Sequence, residues 1–278
     1  MMKLSANTGL IALFGYPTGH SLSPAMHNAA FKEMGLELCY LTFDVHPQEL
    51  RDAVLGARAM GFVGLNVTVP HKEAIMPMLG EVRPEAAFIG AVNTVLINER
   101  GKLIGHNTDG MGFMKSLEDE GIDPAGKRVL VIGSGGASRA ICSSLCEAAS
   151  EVAVYNRTQD RAARLVADLG INFKNATHLE SMSGEAVACF DMVINATSLG
   201  LSDGDPLPLD ATMLRQGQIV GDLIYKNTPF LAHAQKMGHR TFNGLGMLLW
   251  QGVLSSQIWT GQMPPVETMR RALKEKFQ

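Results

Sequence analysis

Three short stretches of this chain hold residue types at spacings that suit chemistry on a small molecule. The first is Val129-Leu130-Val131-Ile132-Gly133-Ser134-Gly135-Gly136-Ala137-Ser138, an apolar run that meets a glycine-rich turn and then a helix-forming segment. Glycines at 133 and 135 allow a tight turn and let backbone N–H groups approach a pyrophosphate seated on the positive end of the following helix. Ser138 stands where that fingerprint has its third glycine or alanine, and a strand-to-helix turn without a ligand would use the same residues. The second stretch lies about 20 residues on, where the fingerprint has the residue that reads the ribose. There Glu151-Val152-Ala153-Val154-Tyr155 ends in Asn156-Arg157-Thr158, followed by Arg161, and no carboxylate occupies the strand end. A carboxylate would accept from the ribose 2′-OH of NAD, whereas Arg157 can donate paired, charge-assisted bonds to a 2′-phosphate. These residues therefore favour NADP over NAD; the other account is a solvated helix start in which Asp160 neutralises the arginines.

The third stretch is Asn66-Val67-Thr68-Val69-Pro70-His71-Lys72, which places Asn66, Thr68 and Lys72 near the carboxyl end of one strand. Open α/β sheets bind ligands at that end. By itself Lys72 reads as an exposed lysine at a helix start, yet a cation there opposes the helix dipole, so its placement needs a reason. Earlier in the chain, Ser23 is a natural N-cap with Pro24 in the first helical position. The hydroxyls of Ser21 and Ser23 beside unpaired helix N–H groups also make a site for a small carboxylate, and both readings can hold together. Thr108 and Asp109 read as caps of the helix that follows them.

Positioning these residues requires two α/β halves. Residues 10–14, 38–45 and 64–69 read as strands, with helices over 24–34 and 47–60 between them, in β-α-β-α-β order. Residues 91–97 and 102–104 flank the turn Glu99-Arg100-Gly101 as a hairpin, and a helix runs to about residue 120. A turn-rich linker, 121–127, precedes the glycine loop. Strands at 192–198, 219–223 and 240–243 continue the nucleotide half, and residues 200–208 form a loop suited to line a cofactor cleft. After Asn243-Gly244-Leu245-Gly246 the chain returns to helix, to about Thr260, and a last helix follows Pro264-Pro265. The expected architecture is an N-terminal α/β substrate domain plus a Rossmann-type doubly wound dinucleotide-binding domain, with the C-terminal helices returning to the first. The boundaries are 1–109 with 247–278, and 110–246.

Bulk properties narrow the function classes. With 278 residues, 46% of them hydrophobic, the chain is long enough for two cores. A net charge of −3, with both signs dispersed, offers no nucleic-acid footprint and no polybasic membrane patch. The N-terminus has one lysine and then a short apolar run, residues 9–14, too short for a secretory or membrane segment, so a cytoplasmic protein is expected. Cys39, Cys142, Cys146 and Cys189 lack C-x-x-C spacing and are expected to be reduced and structural, the middle pair on one helix face. The eight histidines form no metal-ligand cluster, so no metal is expected.

Taken together, several segments resemble the shikimate dehydrogenase family along nearly the whole chain. These are Gly15-Tyr16-Pro17 through His20-Ser21-Leu22-Ser23-Pro24, Asn66 through Lys72, Gly90-Ala91-Val92-Asn93-Thr94, Asn107-Thr108-Asp109-Gly110, Gly133 to Ala137, Asn156-Arg157-Thr158, Asn195-Ala196-Thr197-Ser198 and Gly244-Leu245-Gly246-Met247-Leu248 through Gln251. The resemblance implies reversible reduction of 3-dehydroshikimate to shikimate with NADPH, in aromatic amino-acid biosynthesis. It implies Ser21 and Ser23 as carboxylate ligands, with Asn66, Thr68, Asn93, Asp109, Tyr225 and Gln251 as contacts to substrate hydroxyls and Thr108 nearby. Lys72 becomes the acid/base group, paired with Asp109, which orients lysine and substrate. Gly133, Ser134, Gly135, Gly136, Ala137, Asn156, Arg157, Thr158, Arg161, Thr197, Ser198, Leu223 and Gly244 become cofactor contacts. The implied partners are a small-molecule substrate and no macromolecule beyond a second copy, as monomer or homodimer. His71 departs from the family's commoner phenylalanine, and Tyr225-Lys226-Asn227-Thr228-Pro229 is shorter than usual. Tyr16-Pro17 and Ser21-Leu22-Ser23 also look like the quinate/shikimate branch, so a quinate or aminoshikimate paralogue using NAD or NADP is the second enzyme reading. A non-catalytic NAD(P)-binding regulator is the reading from another class; an acid/base pair is what such a regulator would not need.

Overall fold

The computed structural model describes residues 4–202 and 204–277; Asp203, inside the expected loop 200–208, lies outside the described residues, as do Met1, Met2, Lys3 and Gln278 at the ends. The chain divides into two compact units, one formed by residues up to Gly112 and from Leu249 onward, the other by Phe113–Leu248.

The first unit contains β1 (Gly9–Gly15), α1 (Ser23–Glu33), β2 (Leu38–Asp44), α2 (Leu50–Ala59), β3 (Gly64–Val67), β4 (Glu81–Val82), α3 (Pro84–Ile89), β5 (Thr94–Ile97) and β6 (Leu103–His106). Its sheet runs β2-β1-β3-β5-β6-β4. The first three strands are parallel, β5 is antiparallel to both its neighbours, and β4 is parallel to β6. Successive strand residues face opposite sides. On β1, Ile11 and Leu13 pack with Phe31, Tyr40 and Trp259, while Ala12 and Phe14 join Leu50, Val54, Leu65 and Val67. Both faces of the strand are thus covered, which is why its sequence is apolar without alternation. Trp259 reaches this layer because β3 begins with Gly64, whose missing side chain leaves room for the indole; Trp259 Nε1 donates to Val95 O at 3.0 Å.

α4 (Asp109–Asp119) carries the chain out of this unit. The second unit holds β7 (Arg128–Ile132), α5 (Gly136–Cys146), β8 (Glu151–Tyr155), α6 (Gln159–Leu169), β9 (Ala176–His178), α7 (Gly184–Ala188), β10 (Met192–Asn195), β11 (Ile219–Asp222), α8 (Pro229–Lys236) and β12 (Arg240–Phe242). Its six strands are all parallel in the order β12-β11-β10-β7-β8-β9, the doubly wound order whose direction reverses between β7 and β10. α9 (Leu245–Thr260) and α10 (Val266–Phe277) end the chain, and α10 packs on α1.

The structure corrects several expectations. β4, α3, β9 and α7 have no counterpart in the sequence reading; each spans six residues or fewer, too few to display a periodicity. The expected hairpin strand 91–97 starts only at Thr94, because the backbone before it leaves the hairpin: Val92 N donates to Lys72 O at 2.8 Å. Ser23 is not the N-cap of α1; it is the first helical residue, and Ser21 Oγ accepts its N–H at 3.3 Å. All four cysteines are unpaired; Cys39, Cys142 and Cys146 are buried and Cys189 is exposed. Burial pushes the thiols of Cys142 and Cys146 up to about 12.

Candidate active site

In the first unit, Lys72 lies on the turn after β3. Three bonds fix that turn: His71 N donates to Thr68 O, Val92 N donates to Lys72 O, and His71 Nε2 meets Val45 O at 2.7 Å. A carbonyl only accepts, so His71 carries a proton on Nε2 and anchors the turn to the end of β2. His71 is 1% exposed, so it holds the lysine's backbone in place instead of facing a ligand. Lys72 Nζ meets Asp109 Oδ2 at 2.5 Å, with side chains only 16% and 5% exposed. The lysine that reads as a surface residue in sequence is therefore half of a largely buried ion pair, 37 positions from its partner.

Asp109 opens α4 and is held on every side. Its N–H donates to Asn107 Oδ1 at 3.0 Å, and its Oδ1 accepts from Asn93 Nδ2 at 2.8 Å. Asn93 cannot turn over, because its Oδ1 accepts the backbone N–H of Thr108 at 2.9 Å. Its remaining amide hydrogen goes to Thr108 Oγ1, also at 2.9 Å. Thr108 Oγ1 lies 3.1 Å from Gln251 O, and Gln251 sits against Gly112, where any Cβ would strike its backbone. Neither Thr108 nor Asp109 is merely a cap.

The same network continues to Asn66, whose Nδ2 donates toward Asn93 O (3.0 Å), Thr94 Oγ1 (3.1 Å) and Ser255 Oγ (3.2 Å). Its Oδ1 accepts from the Tyr40 hydroxyl at 2.7 Å. Ser21 and Ser23, Asn66, Asn93, Thr108, Asp109, Lys72 and Gln251 are thus gathered in one unit. Thr68 stands on the lysine turn with its methyl against Gly15. Tyr225 belongs to the other unit, where burial raises its phenol. Sequence reasoning missed Tyr40, Thr94 and Ser255. Ser255 was within reach, one helical turn after Gln251 and so on its face; Tyr40 lies in an apolar strand that gives no such signal.

In the second unit the glycine loop follows β7 at the reversal point. Gly133 has φ +120°, and a Cβ there would lie 2.9 Å from Ala196 O, past the end of β10. Gly135 faces open space and precedes α5, which has no side-chain cap, leaving helix N–H groups directed at that space. Ser134 Oγ is buried with no protein partner. An uncapped helix end and an orphaned hydroxyl beside a glycine turn fit a phosphate. Ser138, at the third-glycine position, is fully buried and donates to Gly133 O at 2.6 Å, so it tightens the loop without obstructing it. Ala137 follows on the first turn of α5.

Beyond β8, Asn156 Nδ2 donates to Thr158 O at 2.9 Å. Arg157 and Arg161 are exposed and have no partner among the described residues, Asp160 included. Two free cations at that strand end suit a dianionic 2′-phosphate. After β10, Asn195 Oδ1 accepts from Thr197 N and Oγ1 at 3.1 and 2.7 Å, ordering the turn that carries Ser198. Asn195 Nδ2 donates to Asp222 Oδ2 at 3.1 Å, and Asp222 also accepts from Ile224 N and Thr228 Oγ1. Burial raises the Asp222 carboxyl and these bonds oppose it. They lock the Leu223 turn, against whose carbonyl Gly244 packs too closely for any side chain.

Among the described residues no group of three or more His, Cys, Asp and Glu side chains is placed to hold a metal ion, and no helix is long and apolar enough to cross a membrane.

Residues 13–95 match the shikimate dehydrogenase substrate binding domain, residues 117–201 the shikimate / quinate 5-dehydrogenase family, and residues 244–274 the shikimate 5'-dehydrogenase C-terminal domain. The chain belongs to the shikimate dehydrogenase family. It is 48% identical over 286 residues to a shikimate dehydrogenase (NADP(+)) of Moorella thermoacetica, covering 99% of this chain and 96% of that one. It is similar to the crystal structure of shikimate dehydrogenase from Aquifex aeolicus, with TM-score 0.92 and 38% identity, covering 98% of this chain and 100% of that one. The enzyme from Thermus thermophilus in complex with NADP(H) and shikimate superposes with TM-score 0.88 and 39% identity, over 96% and 99% of the two chains.

Proposed function

We propose that this chain catalyses the NADP(H)-dependent, reversible reduction of 3-dehydroshikimate to shikimate in the cytoplasm, as a step of aromatic amino-acid biosynthesis. The observation that carries this reading is the Lys72–Asp109 pair, held by Asn93 and set in a network that also contains Thr108, Asn66 and Tyr40. Residues 1–109 and 247–278 bind substrate in this reading, and 110–246 bind NADP. Ser21 and Ser23 take the carboxylate, while Asn66, Thr68, Asn93, Thr108, Gln251 and Tyr225 surround the hydroxylated ring.

Bound NADPH supplies the hydride. The chain's own task is the charge that builds on the carbonyl oxygen as hydride adds to carbon. The Lys72 ammonium neutralises that alkoxide and delivers its proton to it, and in the oxidation direction the amine takes the proton back. Asp109 cannot rotate away, because Oδ1 is tied to Asn93, so Oδ2 keeps Nζ aimed through both half-reactions. On the cofactor side, the loop 133–137 meets the pyrophosphate, and Asn156, Arg157, Thr158 and Arg161 meet the 2′-phosphate. Thr197, Ser198, Leu223 and Gly244 border the rest of the dinucleotide.

The test is to incubate purified protein with shikimate, then with quinate, each with NADP or NAD, and follow absorbance of the reduced cofactor. Shikimate with NADP is expected to be the fastest pair by kcat/KM. Faster turnover of quinate with NAD would replace this reading with the quinate branch, and no turnover of any pair would point to a binding protein.

A further inference from the structure

Two short segments carry the groups that the proposed function assigns to the two ends of the substrate. Ser21 and Ser23 follow the loop after β1, and Lys72 sits on the turn after β3. Both segments are fastened to adjacent residues at the end of β2. Asp44 Oδ1 accepts from Thr18 N at 2.6 Å and from Thr18 Oγ1 at 2.7 Å. Val45 O, next in the chain, accepts from His71 Nε2 on the lysine turn at 2.7 Å. Loop and turn are also tied to each other, since Tyr16 N donates to Val69 O at 3.1 Å. They can lie this close because Gly15 has no side chain: any Cβ there would strike the methyl groups of Thr18 and Thr68.

Thr18 passes this restraint on to the serines. It is 3% exposed, whereas Gly19 and His20 after it are exposed. Its carbonyl accepts Ser21 N at 2.9 Å, closing a four-residue turn. Ser21 Oγ accepts Ser23 N at 3.3 Å, which leaves the Ser21 hydrogen to give to a carboxylate. Holding Thr18 therefore holds Ser21. Asp44 itself is exposed and bonds neither Lys72 nor Asp109. A negative charge does nothing to attract an anionic substrate, so what the loop needs from Asp44 is one oxygen that accepts both hydrogens of Thr18.

We infer that Asp44 is a positioning residue for substrate recognition: it fixes the Thr18 turn that offers Ser21 to a carboxylate, at a spacing from Lys72 that the adjacent Val45 sets. The site thereby selects acids whose carboxylate and reducible carbonyl are rigidly spaced, as on a ring. This rests on the proposed assignment of Ser21 and Ser23 to the substrate carboxylate.

Asp44→Ala frees the loop and leaves the Val45 carbonyl, and with it the lysine turn, in place. KM for shikimate should rise about tenfold, as for a loop that keeps its binding arrangement about a tenth of the time. kcat should stay within about twofold and KM for NADP should not move. The inhibition constant of shikimate methyl ester, which carries no carboxylate, should change by less than about twofold. Asp44→Asn keeps the accepting oxygen and should restore KM to within about twofold of wild type. Thr18→Val removes one of the two bonds and should raise KM about twofold to fourfold, yet add nothing in the Asp44→Ala background; it decides the question if Asp44→Ala does not accumulate as folded protein. A merely structural role would lower Tm and weaken acid and ester alike, and the asparagine variant would not separate from alanine if the charge mattered. Unchanged KM in Asp44→Ala and Thr18→Val, parallel loss of acid and ester, or an asparagine variant as defective as alanine overturns the role of Asp44 and leaves the proposed function intact. Wild-type protein that binds acid and ester equally overturns the carboxylate assignment, and wild-type protein that does not turn over shikimate with NADP overturns the proposed function.

Discussion

At the scale of single residues, the decisive fact is that Lys72 and Asp109 are both largely buried and joined at 2.5 Å. From sequence alone the lysine reads as a solvated helix start, since only the fold brings an aspartate 37 positions away onto it. Replacing Lys72 by Met removes the proton donor and should lower kcat by roughly 10² to 10⁴ with a small change in KM for shikimate. It also strands a carboxylate that is 5% exposed, which should cost about 3 kcal/mol of stability. Adding Asp109→Asn should restore part of that stability in urea unfolding and none of the kcat. Near-normal kcat in Lys72→Met would mean that another group supplies the proton. Arg157, by contrast, is exposed and without a partner among the described residues, so Arg157→Ala should leave Tm unchanged. It should raise KM for NADP by about tenfold or more and spare KM for NAD, a charge-assisted bond being worth about 1.5 to 3 kcal/mol. Equal loss with both cofactors would remove Arg157 from the 2′-phosphate.

Among the elements, those that carry ligand groups are largely legible, because strand, glycine turn and helix leave a signature in a few adjacent residues. β7, the loop and α5 follow that pattern, and Gly133 shows why the pattern is needed: its φ of +120° and its 2.9 Å approach to Ala196 O admit no side chain. Gly133→Ala should therefore destabilise the second unit by roughly 1 to 3 kcal/mol through backbone strain and raise KM for NADP, read by thermal melting and by kinetics together. An unchanged Tm would mean that the loop relaxes and the glycine is not structurally required. What stays illegible has a common cause. β9 and β4 have three and two residues, and their strand character comes from the neighbour they pair with, Val152–Val154 and Ile104–Gly105. Likewise Ser23 looks like a cap because its neighbour is proline, but it is the first helical residue and its N–H donates to the Ser21 hydroxyl, an arrangement the sequence pattern does not distinguish.

For the molecule as a whole, the aromatic layer of the first unit also sets behaviour in acid. His27 is fully buried, stacked on Tyr40 at 4.4 Å and packed beside Phe31 and Trp259, and neither ring nitrogen has a hydrogen-bond partner. Burial lowers its pKa from 6.5 to about 3. The folded state therefore holds this histidine neutral while the unfolded chain protonates it near its ordinary value. Between those two values the unfolded state binds more protons, so stability falls as the pH falls, starting near 6.5 and continuing toward 3. At pH 5 the contribution amounts to about 2 kcal/mol, at about 1.36 kcal/mol for each unit of pH below the ordinary value. His27→Phe preserves a flat ring in the stack and removes the titrating group. Urea unfolding of both proteins at pH 8 and pH 5 should show the wild type losing about 2 kcal/mol more than the variant over that interval. If both lose stability equally, the acid sensitivity of this fold originates elsewhere and His27 is protonated only after the unit has opened.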